Sequence, residues 1–263
     1  MNWLRSTWPP VLFGLGFVGL WEAVVRGFGI EEFLLPRPSS IASSLREEWA
    51  GEVGGGRITN LREAGWETGK VAVLGLVLGV LLGALLALLT TRFRLLRESF
   101  TPLAVIANAT PIVALAPIFN AWFGITGIAS NVAVVMVVVF FPVFINVARG
   151  LTEVHPSQLE LMRSYAASPT TVLRQVRIPN ALPFFAVSLR LAAPLSVIAA
   201  IVAEYFGGPT NRLGPVITQN ASFARYDTAW AAIVVASALG LVLFATALLI
   251  ERLITPGAQP VER

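Results

Sequence analysis

The chain has 263 residues, a formal net charge of +4, one histidine and no cysteine. Hydrophobic residues make up 56% of it and charged residues only 13%, whereas an ordinary soluble domain is roughly 25% charged. These counts exclude disulfides, CxxC redox chemistry and thiolate metal sites, and they argue against a histidine-based metal site. We therefore expect neither a metal nor a cofactor.

The apolar residues lie in long uncharged runs, which are typical of an integral membrane protein, because a bilayer-spanning helix needs about 20 mostly apolar residues. The run from Ser99 to Ala148 is long enough for two helices and a turn at Gly124 to Gly127. We predict an all-α polytopic protein in contact with membrane lipid, with about six spans. They lie near Pro10–Phe28, Val71–Thr91, Phe100–Phe123, Ala129–Ala148, Ala186–Phe206 and Thr228–Ile250.

The first span has an ionisable pair within it. Glu22 and Arg26 lie four residues apart, so they can form an ion pair on one helix face. The residues before them have the order of a signal peptide. No small-x-small cleavage site follows, so we expect this span to be retained.

The polar region between the first two spans predicts a helix on the membrane surface. Ser39 or Ser40 can cap this helix. Its apolar residues form one stripe of Ile41, Leu45 and Trp49. A second helix begins near Thr59–Asn60 and continues into the second span. We expect an N-terminal span plus interfacial segment over 1–58, a transmembrane domain over 59–254 and a tail over 255–263.

A glycine repeat in the second span predicts a close helix–helix contact. Gly75, Gly79 and Gly83 recur every four residues and therefore share one helix face. Without side chains on that face, another helix can approach closely.

The segment between the fourth and fifth spans is polar and is interrupted by prolines. It contains ELMRSYAASPTTVLRQVRIPNALP. Pro156 fits the first turn of a helix that stops near Ala167. Ser168 and the proline after it fit the cap and first turn of a second short helix. That helix ends near Arg177, because Pro179 disfavours helical geometry in the residue before it.

Lysine and arginine placement favours a cytoplasmic position for this segment and for both termini. Arginines at the ends of membrane helices also account for the net positive charge, so we expect no nucleic-acid partner. Two short helices with an apolar side and a rim of arginines suit docking into a cleft on another protein.

The same segment resembles the signature of importer permeases of the ATP-binding cassette (ABC) class, Glu-Ala-Ala, three residues, Gly, nine residues, then Ile-x-Leu-Pro. Glu160-Leu161-Met162 matches the first element and Val176-Arg177-Ile178-Pro179 the last. Ala166 takes the glycine position and is the main departure. Because an alanine stands there, we expect a turn without positive φ. The resemblance implies cytoplasmic coupling helices at 156–178, here called the coupling segment.

The resemblance extends along most of the chain. LLPRPSSI at Leu34–Ile41 is similar to an element of the nitrate, sulfonate and taurine (NitT/TauT) branch of these permeases. Pro111–Gly124 and Phe140–Leu151 resemble the third-span and fourth-span patterns of that branch. AEYFGG at Ala203–Gly208 is closer to members linked to riboflavin or hydroxymethylpyrimidine uptake.

The resemblance implies a type I ABC importer (MetI-like) fold and a permease subunit that moves a small solute into the cytoplasm. The solute is a vitamin precursor, such as riboflavin or hydroxymethylpyrimidine, or a nitrate-, sulfonate- or taurine-like anion. The implied partners are a second copy of the chain, cytoplasmic ABC ATPase subunits and an extracytoplasmic solute-binding protein, assembled at the cell inner membrane.

The chain itself is not expected to be an enzyme. GWETGK at Gly65–Lys70 has three residues between its glycines and no Ser or Thr after the lysine. It is therefore not a phosphate-binding P-loop. ATP hydrolysis is expected in the separate ATPase subunit.

Two sets of residues are the candidates for function. The residues expected to couple to the ATPase are Glu160, Met162, Arg163, Tyr165, Ala166, Ala167, Ser168, Arg174 and Pro179. Polar groups within spans, and a proline that frees backbone carbonyls, are expected along the solute path. These are Asn108, Thr110, Pro111, Asn146, Ser196 and Glu204.

Two other kinds of protein compete with this interpretation. An ion-coupled secondary transporter should show inverted repeats and broken helices in both halves, and we find no convincing repeat. A membrane-embedded enzyme needs clustered His, Asp or Glu at depth, and the sequence offers no such cluster.

Overall fold

The computed structural model describes residues 3–50, 60–93, 96, 98–100, 106, 112–125 and 127–255. Within those ranges the chain is helical with short connections and contains no strand, which confirms the predicted all-α class. The helices are α1 Trp3–Gly27, α2 Pro38–Ala50, α3 Leu61–Arg92, α4 Ala116–Phe123, α5 Ala129–Thr152, α6 Pro156–Ser164, α7 Pro169–Val172, α8 Ile178–Phe206, α9 Leu213–Ser222 and α10 Tyr226–Ile254. A 3₁₀ turn, Ile112–Leu115, precedes α4, and a π-helical turn, Leu173–Arg177, joins α7 to α8.

Among the described residues, four helices are long and apolar enough to cross a membrane. They are Leu61–Arg92, Ala129–Thr152, Pro169–Phe206 and Tyr226–Ile254. These helices contain the predicted second, fourth, fifth and sixth spans. The predicted first span lies in α1. Ten of the 24 residues of the predicted third span, 101–105 and 107–111, lie outside the described residues. Its last part forms a 3₁₀ turn and α4.

The described residues group into two compact units. One is formed by Glu67–Pro209 and Ser237–Arg263. Its core lies where α5 packs against α3 and α8, and it is made largely of small and β-branched side chains. Fully buried examples are Val135, Val139, Val143, Ala192 and Ala200. Small side chains let helix backbones approach closely within a membrane.

The glycine stripe of α3 faces α5. A Cβ atom added to Gly79 would lie 2.7 Å from the carbonyl oxygen of Met136. One added to Gly83 would lie 2.9 Å from the carbonyl oxygen of Phe140. A Cβ atom added to Gly75 would overlap the side chain of Val135. Only a residue without a side chain fits at these positions.

The other unit is formed by Met1–Trp66 and Thr210–Ala236. In it, Arg26 Nε lies 2.6 Å from a Glu22 carboxylate oxygen, so the predicted ion pair is confirmed. The same carboxylate accepts hydrogen bonds from the Ser39 backbone N–H at 3.1 Å and from Ser39 Oγ at 2.8 Å. Glu22 therefore supplies acceptors to the first turn of α2.

The predicted start of α2 is wrong, and its predicted apolar stripe is not the face that is buried within the protein. The helix begins at Pro38, so both candidate serines lie within its first turn. Its buried face is Ile41, Ser44 and Glu48, whereas Trp49 is half exposed. The polar face turns inward because Ser44 Oγ donates a hydrogen bond of 2.7 Å to the Asp227 carboxylate of α10.

The predicted start of the helix leading into the second span is confirmed. Helix α3 begins at Leu61. The side-chain oxygen of Asn60 accepts hydrogen bonds from the backbone N–H groups of Arg62 at 3.1 Å and Glu63 at 3.3 Å. Asparagine is a favoured N-cap because its side chain satisfies such otherwise unbonded donors.

Candidate functional site

The coupling segment begins with α6, a short helix with an exposed surface. Pro156 occupies its first turn, as predicted, and none of its residues is buried. Leu161 is 54% exposed, and Tyr165, just after the helix, is 74% exposed. Leu161 and Met162 also line a shallow groove against Val176 of the π-helical turn. The segment therefore presents apolar side chains outward.

The turn after α6 is a Schellman motif. The Ala166 N–H donates to the Arg163 carbonyl at 2.9 Å, and the Ala167 N–H donates to the Met162 carbonyl at 3.0 Å. This pair of bonds requires a left-handed residue at the first position after the cap. Ala166 accordingly has a φ of 49°. The expectation of a turn without positive φ is wrong, because the two hydrogen bonds determine the conformation in spite of the alanine.

Replacing Ala166 with glycine is expected to stabilise this turn. A left-handed conformation costs an alanine roughly 1–2 kcal/mol, and the greater chain entropy of glycine offsets about 0.5–1 kcal/mol of that gain. Amide hydrogen exchange in α6 and α7 should slow about two- to five-fold. The neighbouring Ala167→Gly variant should give no such slowing. Equal slowing in both variants would contradict the assignment.

The second helix of the segment begins as predicted. Ser168 is its N-cap, and Ser168 Oγ accepts a hydrogen bond of 3.2 Å from the Thr171 N–H. The predicted end near Arg177 is wrong, because the chain passes through the π-helical turn directly into α8. Pro179 lies in the first turn of α8. The wider π-helical turn accommodates a residue that has no N–H to donate.

The two ends of the coupling segment are bonded to each other. Arg177 Nη1 donates to the Leu151 carbonyl at 3.1 Å. Asn180 Nδ2 donates to the Gly150 carbonyl at 2.7 Å and to the Glu153 carbonyl at 3.1 Å. We call these five residues the base of the coupling segment. Sequence reasoning missed its contacts, although Arg177 and Asn180 lie three residues apart on one helix face.

The remaining coupling candidates are accessible. Glu160, Arg163 and Arg174 are exposed. They lie on the same segment as the exposed side chains of Leu161 and Tyr165. The segment therefore combines charged and apolar groups on an accessible surface, the combination found at protein–protein interfaces.

The structure describes three of the six solute-path candidates, Asn146, Ser196 and Glu204. Asn108, Thr110 and Pro111 lie outside the described residues. Asn146 Nδ2 donates to the Pro142 carbonyl at 2.8 Å, and Ser196 Oγ donates to the Ala193 carbonyl at 2.7 Å. Both groups therefore bond to their own helices.

Among the solute-path candidates that the structure describes, Glu204 bonds to another helix. It is 2% exposed and accepts a hydrogen bond of 3.1 Å from Thr68 Oγ1 of α3. This hydrogen bond links α8 to α3. Asn146 and Ser196, by contrast, bond within their own helices.

A buried polar cluster near the start of α5 was missed from the sequence. Asn120 Nδ2 donates to the Phe206 carbonyl at 3.0 Å, and Ser130 Oγ donates to the Asn120 side-chain oxygen. Asn131, next to Ser130, is 1% exposed. Asn120, Ser130 and Asn131 lie in the uncharged run Ser99–Ala148, in which other polar residues, but not these three, were chosen as candidates. The amides and hydroxyl near the Gly124–Gly127 turn were the available signal.

The family follows from the comparison with known proteins. A model described as the inner membrane component of binding-protein-dependent transport systems matches residues 79–256. This chain belongs to that family. The permease is 32% identical over 252 residues to the formylaminopyrimidine transport permease ThiX of Halalkalibacterium halodurans, with 94% of each chain covered. It is 31% identical over 262 residues to the riboflavin transport permease RibX of Chloroflexus aurantiacus, with 95% of this chain and 91% of that one covered.

A solved structure shows the same fold. The MetNI methionine ABC transporter in an inward-facing conformation matches with a TM-score of 0.58 at 18% identity, over 74% of this chain and 96% of the other. The resemblance stated from the sequence is confirmed. The chain is a multi-pass membrane permease subunit of an ABC importer, with the type I fold.

Proposed function

We propose that the coupling segment is the docking site for a cytoplasmic ABC ATPase. The observation that supports this most strongly is the exposure of Leu161 at 54% and Tyr165 at 74% on a capped helical segment. Exposed apolar side chains on an otherwise polar segment are typical of a protein interface. In this proposal Glu160, Arg163 and Arg174 form the polar rim.

The proposed assembly is a homodimer of this permease with two ATPase subunits and an extracytoplasmic solute-binding protein. Both termini and the coupling segment lie on the cytoplasmic side of the inner membrane. Closure of the ATPases on ATP moves the coupling segments and switches the permease between inward-open and outward-open states. Packed helices support such switching because their interfaces have discrete arrangements.

The proposed solute is a small heterocycle of the vitamin-precursor type. Two relatives, each at least 30% identical to this chain, are named for formylaminopyrimidine and riboflavin. Glu204, one of the residues of the proposed path, is buried and accepts a hydrogen bond from Thr68 Oγ1 of α3. Asn108, Thr110, Pro111, Asn146 and Ser196 complete the proposed path.

Reconstitution tests this function. The permease is placed in proteoliposomes with its proposed ATPase and solute-binding protein, and radiolabelled formylaminopyrimidine and riboflavin are supplied. We expect uptake of one of them that requires ATP and the binding protein, and no ATP hydrolysis by the permease alone. Uptake by the permease alone on an ion gradient would identify a secondary transporter instead.

A further inference from the structure

At the base of the coupling segment, side chains donate hydrogen bonds to backbone carbonyls at the C-terminal end of α5. The last four carbonyls of a helix have no partner within the helix. In α5, the carbonyls of Gly150 and Leu151 and that of the following Glu153 receive hydrogen bonds from side chains of another helical region. Of those donors, Arg177 lies at the end of the coupling segment and Asn180 lies just beyond it. The two ends of the segment are therefore tied together.

The backbones also meet at this base. A Cβ atom added to Gly150 would lie 2.8 Å from the Ala181 Cα atom. Leu151 and Ala181 are buried. By contrast, no residue of α6 is buried. The segment thus has an accessible outer part on a closely packed base.

The side chains of Arg177 and Asn180 are strong hydrogen-bond donors that can hold the end of α5 in one position. An asparagine side chain has two N–H donors, and Asn180 Nδ2 uses them on two different carbonyls. The Arg177 guanidinium is always charged, and a cation at a helix C-terminus is favoured by the helix dipole. Hydrogen bonds from charged donors are also stronger than neutral ones.

We propose that Arg177 and Asn180 are positioning residues that lock the base of the coupling segment, so that a displacement of α6 moves α5 and α8 together. This proposal rests on the proposed docking of the ATPase. Without the lock, α6 and α7 pivot on their own when the ATPases close. ATP hydrolysis then continues, but the displacement of α6 moves α5 and α8 less than in the wild type.

The test uses variants that keep side-chain size. Asn180→Asp replaces both N–H donors with a carboxylate facing carbonyl oxygens, and Arg177→Met removes the guanidinium. In the reconstituted complex, each variant should retain the ATPase and keep ATP hydrolysis within about two-fold of the wild type. Uptake should fall at least ten-fold, so the ATP consumed per solute rises by about the same factor. Arg177→Lys, which keeps a charged donor, should recover most of the uptake.

Arg225→Met is the matched control. It removes an exposed arginine from the turn between α9 and α10, where the guanidinium lies over the Phe223 ring. Its ATP-to-solute ratio should equal that of the wild type. An unchanged ratio in Asn180→Asp would overturn the proposal, and so would a parallel fall of hydrolysis and uptake. Failure of the wild-type permease to retain the ATPase would instead refute the docking function itself.

A distance measurement covers the case in which a variant is unstable. The chain has no cysteine, so spin labels can be placed at Ser157 of α6 and Val187 of α8, which are both exposed. The wild type should give one narrow distance distribution, and Arg177→Met should broaden it. Equally narrow distributions in both proteins would overturn the proposal without reference to activity.

Discussion

Replacing Glu160 with lysine is expected to abolish solute uptake while the protein still inserts into the membrane. The side chain is exposed in α6, a helix without buried residues, so the substitution leaves the permease core intact. At the proposed interface it reverses a charge that the ATPase surface complements. Disrupting a desolvated charge pair at an interface costs about 2–5 kcal/mol, enough to weaken ATPase binding about 30-fold or more. Membrane fractionation, ATPase co-purification and uptake are measured on the same preparation.

Glu47→Lys provides the control for charge reversal. Glu47 is an exposed carboxylate on α2, outside the coupling segment. The variant should co-purify with the ATPase as well as the wild type does. Normal uptake by Glu160→Lys would count heavily against docking at α6. Equal loss of the ATPase in both variants would show that the effect is not specific to the segment.

Replacing Gly79 with leucine is expected to disrupt the packing of α3 against α5. A Cβ atom there would already lie 2.7 Å from a backbone carbonyl oxygen, that of Met136. A backbone atom yields only if the helices separate, and overpacking of a core typically costs 1–3 kcal/mol. The intermediate variant Gly79→Ala should lose part of that amount. Thermal unfolding of the detergent-solubilised permease measures the series.

Gly240 provides the matched control for the glycine series. It lies within a long apolar helix, α10, and a Cβ atom added there meets nothing within 4 Å. Gly240→Leu should therefore unfold at close to the wild-type temperature. If Gly79→Leu were as stable as Gly240→Leu, the close contact between α3 and α5 would be refuted.

The features that depend on local sequence were predictable. Span positions follow from uncharged runs, which require only composition and length. The Ser168 cap and the Pro156 start are also local, because cap and first turn lie within a few residues. The paired charges of Glu22 and Arg26 depend only on helical spacing.

The features that depend on distant partners were not predictable. Helix α2 turns Ser44 inward because Asp227, which is 183 residues away, accepts its hydrogen bond. A hydrophobic pattern contains no information about such a partner. Ala166 adopts positive φ because two backbone hydrogen bonds require it, and residue preference alone gave the opposite answer. The bonds from Arg177 and Asn180 to the end of α5 likewise require the two helices to be packed together.

The central claim is that a separate cytoplasmic ATPase binds the coupling segment and thereby drives the conformational change of this permease. The most direct measurement is a single-cysteine variant, Tyr165→Cys, in a chain that has no other cysteine. A photoactivatable crosslinker attached to this thiol should join this position to the ATPase subunit in inner-membrane vesicles. In intact cells a membrane-impermeant thiol reagent should not label it. Labelling from outside the cell, together with no crosslink to the ATPase, would contradict the claim.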